Sequence, residues 1–221
     1  MTNKKFKLAA MSLATAVAVS TVGPSASAVT YQLEKGDVTV GQDGTGAYSY
    51  QNQTDGKTDN VYVDQDTQNN GQIIITQAEG TKTDNTVTVE EDVTNEKGKR
   101  DVDIILDGVN VNTSTQTEVS ADNKEDKTII KVGEGADVDL TVKGSNLTTG
   151  GNGIDIGVNL KDDDDNKETN VDLTLDNTKI NLTENATAGI NARDNSDVDI
   201  TLKGDNTIDG SEAIDKVTKD G

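Results

Sequence analysis

Any catalysis in this chain would fall to paired carboxylates or a Lys/Arg base, because it contains neither His nor Cys. Asp162, Asp163, Asp164 and Asp165 form one unbroken run, closely preceded by Asp155 and followed by Asn166. A loop offering several carboxylate, amide and backbone oxygens in succession suits calcium, a hard cation that takes about six to eight oxygen ligands. Asp155 and the four-Asp run are therefore the candidate metal ligands, and calcium is the expected cofactor. A solvated acidic loop explains the same run without an ion. The segment from Gly150 to Asp155 begins like a calcium-binding nonapeptide, but Gly157 occupies its large apolar position and there is only one copy.

The absence of imidazole and thiol removes the usual zinc and copper sites and most nucleophilic and acid–base catalysis. Arg193, with Asp194 and Asp197 close by, is the group around which a calcium-dependent lyase could be imagined. A solvated Arg is the simpler reading. Glycoside hydrolysis needs two carboxyl groups on either side of a sugar bond, and the chain offers many acidic pairs without a pocket signal to choose among them. No enzymatic activity is expected.

Binding is the remaining chemistry. Sugar sites commonly use an aromatic platform, and beyond residue 28 the aromatic residues are Tyr31, Tyr48, Tyr50 and Tyr62. Tyr48 and Tyr50 lie two apart and share one face of a strand. They are the candidate carbohydrate contacts, and the same spacing serves core packing.

The elements that must carry these residues are short strands. Between 170 and 214 a phrase of about 27 residues is stated twice, each time with three alternating apolar runs bounded by Gly, Asn or Asp, which is how one coil of a β-solenoid reads. Its first run begins Val171-Asp172 and Val198-Asp199, and earlier versions begin Val102-Asp103 and Val138-Asp139. The starts are 36, 33 and 27 residues apart, with the excess in polar insertions at 115–127 and 160–169. Further strands are expected at 37–40, 47–50, 60–63, 72–76 and 85–89. The tetrad Lys57-Thr58-Asp59-Asn60 returns at Lys82, suggesting coils of 25 residues in this half.

Stacking such coils puts equivalent residues in columns about 4.8 Å apart. One outward column would hold Asp103, Asp139, Asp172 and Asp199, an acidic face tolerable in solvent and open to bridging cations. Another would hold Asp107, Lys143, Asp176 and Lys203, whose alternating signs predict a ladder of surface ion pairs. The interior would be filled by Val109, Val111, Leu147, Ile180, Leu182 and Ile208 on one side. Ile129, Ile130, Val132, Ile154, Ile156, Ile190 and Ile214 would fill the other. Gly153 and Gly189, just before interior Ile residues, suggest corners with positive φ.

Residues 1–28 read as an export signal: Lys4, Lys5 and Lys7, an apolar run, then Ala26-Ser27-Ala28 as a cleavage site. Removing 28 of 221 residues leaves 193, with 20 less 3, or 17, basic residues against 40 acidic ones, a net charge of −23. Nucleic acid and anionic membranes are excluded as partners by that charge, and no stable membrane insertion is expected after cleavage. Such composition also suits disorder. The regular alternation of Val, Ile and Leu argues for folding instead, with no disulfides to assist it.

The segments 102–110, 135–144 and 197–210, with the Leu-Lys-Gly-Asp-Asn-Thr-Ile run at 202–208, resemble the exported pectin-lyase-like β-helix surface proteins of Gram-positive bacteria. The resemblance spans about 58–214. It implies a carbohydrate-binding or adhesin-like surface protein that takes acidic or plant-wall polysaccharide together with calcium, without established catalysis.

The sequence thus predicts an all-β, right-handed parallel β-helix with three short strands per coil. Residues 29–57 form its N-terminal cap or first coil and 58–221 its coils, which are either truncated at the C-terminal end or framed there by the last residues. The expected role is non-catalytic adhesion to polysaccharide by a secreted or cell-surface protein. A structural stalk without a ligand is the alternative.

Overall fold

A computed structural model of the chain describes residues 29–42, 48–49, 72–93, 102–114, 127–161, 167–184, 186–210 and 214–216. Three largely parallel sheets are built from strands that the chain visits in turn. Sheet I holds β1 (Val29–Gln32), β4 (Ile73–Thr76), β6 (Val102–Asp107), β9 (Asp137–Lys143), β12 (Thr169–Asp176) and β15 (Ser196–Lys203), neighbours in that order. Sheet II holds β7 (Asn110–Asn112), β10 (Asn146–Thr149), β13 (Lys179–Leu182) and β16 (Thr207–Asp209). Sheet III runs β2 (Val38–Gln42), β5 (Val87–Val89), β8 (Ile130–Gly133), β11 (Ile154–Val158), β14 (Ile190–Ala192) and β17 (Ile214–Lys216), with β3 (Tyr48–Ser49) antiparallel on the outer side of β2. Each coil takes one step through I, II and III, and the next coil repeats it. This is a parallel β-solenoid.

Two early coils are irregular at sheet II. The first replaces its strand by a 3₁₀ turn, Leu33–Lys35, whose Leu33 is wholly buried. The second touches the sheet through a single bridge from Thr83 to Val111. Val29 pairs directly with Ile73, 44 residues on, and Ile73 with Ile104, 31 residues on. The paired spacings here are therefore 44 and 31 residues, not the 25 between the tetrads at Lys57 and Lys82, the first of which lies outside the described residues. The strand expected at 60–63 lies outside the described residues.

Alternation explains the strands. In β6 the apolar Val102, Ile104 and Leu106 are buried while Asp103, Ile105 and Asp107 are partly exposed, as period-two side-chain geometry requires. β9 and β12 follow the same rule. The interior columns, such as Ile75, Leu106, Val142 and Leu175, pass from coil to coil with no exposure. Burying each such side chain contributes about 1.5–3 kcal/mol, so the stack is stabilised mainly between coils. Of the interior residues read from the sequence, Val109, Val111, Leu147, Ile180, Ile129, Ile130, Val132, Ile154, Ile156 and Ile190 are buried, and Leu182 and Ile208 near the C-terminal end are only partly buried.

Two local devices turn the corners. Gly108, Gly144, Asn177 and Gly204 each follow a sheet I strand and adopt φ of 69°, 56°, 50° and 68°. This left-handed conformation suits Gly and is tolerated by Asn. Directly after two of them, Ser145 and Thr178 are buried and donate their hydroxyls to the carbonyls of Lys143 (2.9 Å) and Val142 (2.8 Å). Gly153 differs from its expected role, because its φ is not among the positive ones. It is small because a Cβ there would sit 2.5 Å from the Gly189 carbonyl oxygen and 2.8 Å from Ile180 Cγ2. Close approach of adjacent coils, and not backbone handedness, selects glycine at this point.

Candidate functional site

The outer face of sheet I carries the most extended polar array among the described residues. Its register is continuous, with Asp103 beside Asp139, Asp139 beside Asp172, and Asp172 beside Asp199. Two positions further along each strand, Ile105, Thr141, Thr174 and Thr201 form a parallel column. These two columns, with Gln72 at one end, line a shallow groove of about 570 Å³. The expected acidic column is thus real, and each carboxylate has a partly or fully exposed neighbour two residues on. Asp172 and Asp199 are exposed, and Asp103 and Asp139 partly so.

Chemically, this is a row of hydrogen-bond acceptors beside a row of hydroxyls that both donate and accept. The carboxylates project from one surface at strand spacing, about 4.8 Å. They line a track rather than face one another across a cleft, which is the arrangement that two-carboxylate glycoside hydrolysis demands. Among the described residues no three acidic side chains converge on one point as a metal centre would need.

The alternating column is also in register, from Asp107 through Lys143 and Asp176 to Lys203. Its ladder of ion pairs is incomplete. Lys143 Nζ lies 3.3 Å from Asp107 Oδ2, with both side chains about half exposed. Asp176 instead accepts a hydrogen bond from Asn177 Nδ2 at 2.7 Å. An exposed pair of this kind contributes at most about 1 kcal/mol, too little to draw long side chains into every rung.

Asp155 lies on β11 and is completely buried. Its Oδ1 accepts from Asn191 Nδ2 (2.9 Å) and Arg193 Nε (3.1 Å). Oδ2 accepts from Asn152 Nδ2 (3.0 Å) and Arg193 Nη2 (2.8 Å). The four acceptor positions of an ionised carboxylate are thereby filled by protein donors. Asp155 anchors an ion pair between neighbouring coils, and the guanidinium occupies the position a cation ligand would leave open. Asp162, Asp163, Asp164 and Asp165 lie outside the described residues.

The remaining candidates are dispersed. Tyr48 falls on β3, its backbone paired with Gln42, and Tyr50 lies outside the described residues. Tyr31 is a core residue at 7 % exposure. Arg193 is committed to Asp155, whereas Asp197 is exposed at the start of β15. The Asp155–Arg193 pair joins residues 38 apart, and only the register of β11 on β14, with Asp155 beside Asn191, foreshadows it.

Comparison of the chain with protein-family models, with curated proteins and with solved structures finds no match in any of the three.

Proposed function

We propose that the outer face of sheet I binds an extended, hydroxyl-rich polymer, a polysaccharide, without chemically altering it. One observation carries this reading: an Asp column across four coils runs beside a column that is Thr in three of them, along a single groove. Carboxylates accept hydrogen bonds from neighbouring sugar hydroxyls, and the threonine hydroxyls supply the complementary donors. A ladder with one rung per coil matches a polymer with one sugar per repeat better than it matches a compact ligand. Direct contact favours neutral chains. Acidic chains such as uronic-acid polymers would need calcium between the two sets of carboxylates.

Residues 1–28 fit export to the cell exterior, where such polymers are met, and the resemblance to β-helix surface proteins points the same way. A stiff spacer with no ligand is the competing reading, favoured by the unbroken register of sheet I across successive coils. A glycan array read with calcium and again with chelator separates the two. Retention of extended glycans supports binding, calcium dependence confined to uronic-acid polymers supports the bridged mode, and silence on every glycan selects the spacer. Release of new reducing or unsaturated ends would replace both with an enzyme.

A further inference from the structure

Among the described residues, β15, β16 and β17 are each the terminal strand of their sheet at one end of the stack. In β15 the interior positions are uncovered too: Ile200 is 38 % and Leu202 63 % exposed, whereas Leu173 and Leu175, their partners one coil back, are 1 % and 0 %. Unpaired edges with apolar side chains are templates for adding another strand.

The direction of the free backbone groups is readable. Thr169 N–H donates to the Asn195 carbonyl and Asn177 N–H to the Lys203 carbonyl. Odd-numbered residues of β15 therefore turn their backbone groups toward β12, and Val198, Ile200 and Leu202 turn theirs to the open side, because successive residues alternate.

The geometry points to a second copy of this chain as the occupant, its β15 running antiparallel to the first about a twofold axis at Ile200. In that register Ile200 meets its own copy and Val198 meets Leu202 twice, all as hydrogen-bonded pairs that use the outward N–H and C=O groups. Every one of these side chains is apolar and belongs to the interior row. On the solvent face, Asp197 falls opposite Lys203 at both ends, and Asp199 opposite Thr201.

Neighbouring registers are poorer. An axis at Asp199 sets that carboxylate against its copy, and an axis at Thr201 sets Asp197 against Asp205. Like charges directly opposite each other disfavour pairing, so the Ile200 axis is the one that satisfies backbone, apolar row and charge together. The contact is isologous and closes at two chains. It is independent of the polysaccharide reading.

Sedimentation equilibrium of the intact chain over a wide concentration range tests this. The mass is expected to rise to that of two chains and stop. Lys203→Asp and Asp197→Lys each place like charges at both ends and should weaken the dimer by about tenfold or more. Each variant should keep the wild-type circular dichroism. An equimolar mixture of the two variants restores unlike charges at both ends and should dimerise again. A wild-type chain that stays monomeric, a mass that grows without limit through head-to-tail addition, or a mixture no better than its components overturns the proposal.

Discussion

Arg193 spans from one coil to the previous one and grips Asp155 with two nitrogens, Nε at 3.1 Å from Oδ1 and Nη2 at 2.8 Å from Oδ2. The side chain of Asp155 is 1 % exposed and that of Arg193 30 %. Removing the guanidinium leaves a buried charge with only amide donors, and breaking a buried pair in this way costs about 3–5 kcal/mol. Arg193→Ala should therefore lower the urea midpoint strongly. Adding Asp155→Asn to Arg193→Ala should recover part of the loss. A single variant within about 0.5 kcal/mol of wild type, the range typical of surface sites, would show that the pair does not hold the coils.

Two glycines separate conformational cost from steric cost. Gly144 has φ of 56° and open space around the position of a Cβ, so Gly144→Ala should cost about 1–2 kcal/mol from left-handed backbone alone. Gly153 carries no such φ, but its Cβ would meet the Gly189 carbonyl and Ile180. Overpacking of that kind costs about 1–3 kcal/mol. At residue 144, Asn should be tolerated better than Ala, as Asn177 is one coil later. At residue 153, Asn should be worse than Ala. Equal ranking of Asn and Ala at both sites would refute the distinction.

Leu175 and Leu202 are register partners in the same interior column, at 0 % and 63 % exposure. Leu175→Ala should cost about 2–5 kcal/mol, as large-to-small changes in cores do. Leu202→Ala, measured at concentrations low enough for single chains, should cost under about 1 kcal/mol, since most of its surface is already in water. Thermal unfolding of the two variants side by side checks the contrast.

The acidic groove can be tested without disturbing the core. Asp139→Asn together with Asp172→Asn removes two charges from the partly or fully exposed outer face. The melting temperature should hold or rise slightly, because neighbouring like charges repel by under about 1 kcal/mol in water. Binding to any glycan found on the array should fall by about tenfold or more, given that each lost hydrogen bond to a charged group is worth about 1.5–3 kcal/mol. Undiminished binding would move the site off sheet I.

Sheet I was legible in the sequence because its strands are long enough for period-two alternation to repeat: Val102, Val138, Val171 and Val198 mark it four times, and the columns follow from their spacing. In the first two coils the strands near 37–40, 47–50, 72–76 and 85–89 were legible too, but four-residue β1 and the irregular steps at sheet II were not. The tetrad repeat at Lys57 and Lys82 suggests a period of 25 residues, which neither paired spacing there, 44 or 31 residues, matches. The Asp and Thr columns could be read as a face, but the Asp155–Arg193 pair could not. Its partners lie on coils separated by an insertion, and a buried carboxylate in an Ile-Asp-Ile strand looks like any outward Asp until the neighbouring coil is laid over it. The choice of glycine at 153 was hidden for the same reason, since a clash with Gly189 depends on the distance between coils and not on local backbone preference.

The hydrogen bonds of all three sheets run from coil to coil, so they lie along the direction in which the coils accumulate. Tension applied at the two ends therefore loads these bonds a coil at a time, like a zip, and not all at once in shear. From the β12 coil backward, each detached coil would release 27, then 33, then 36 residues, the spacings between Val198, Val171, Val138 and Val102. At roughly 3.4 Å per extended residue, these correspond to slack of about 90, 110 and 120 Å. The unequal insertions that leave the stacked register untouched thus give each coil its own length signature as a mechanical element.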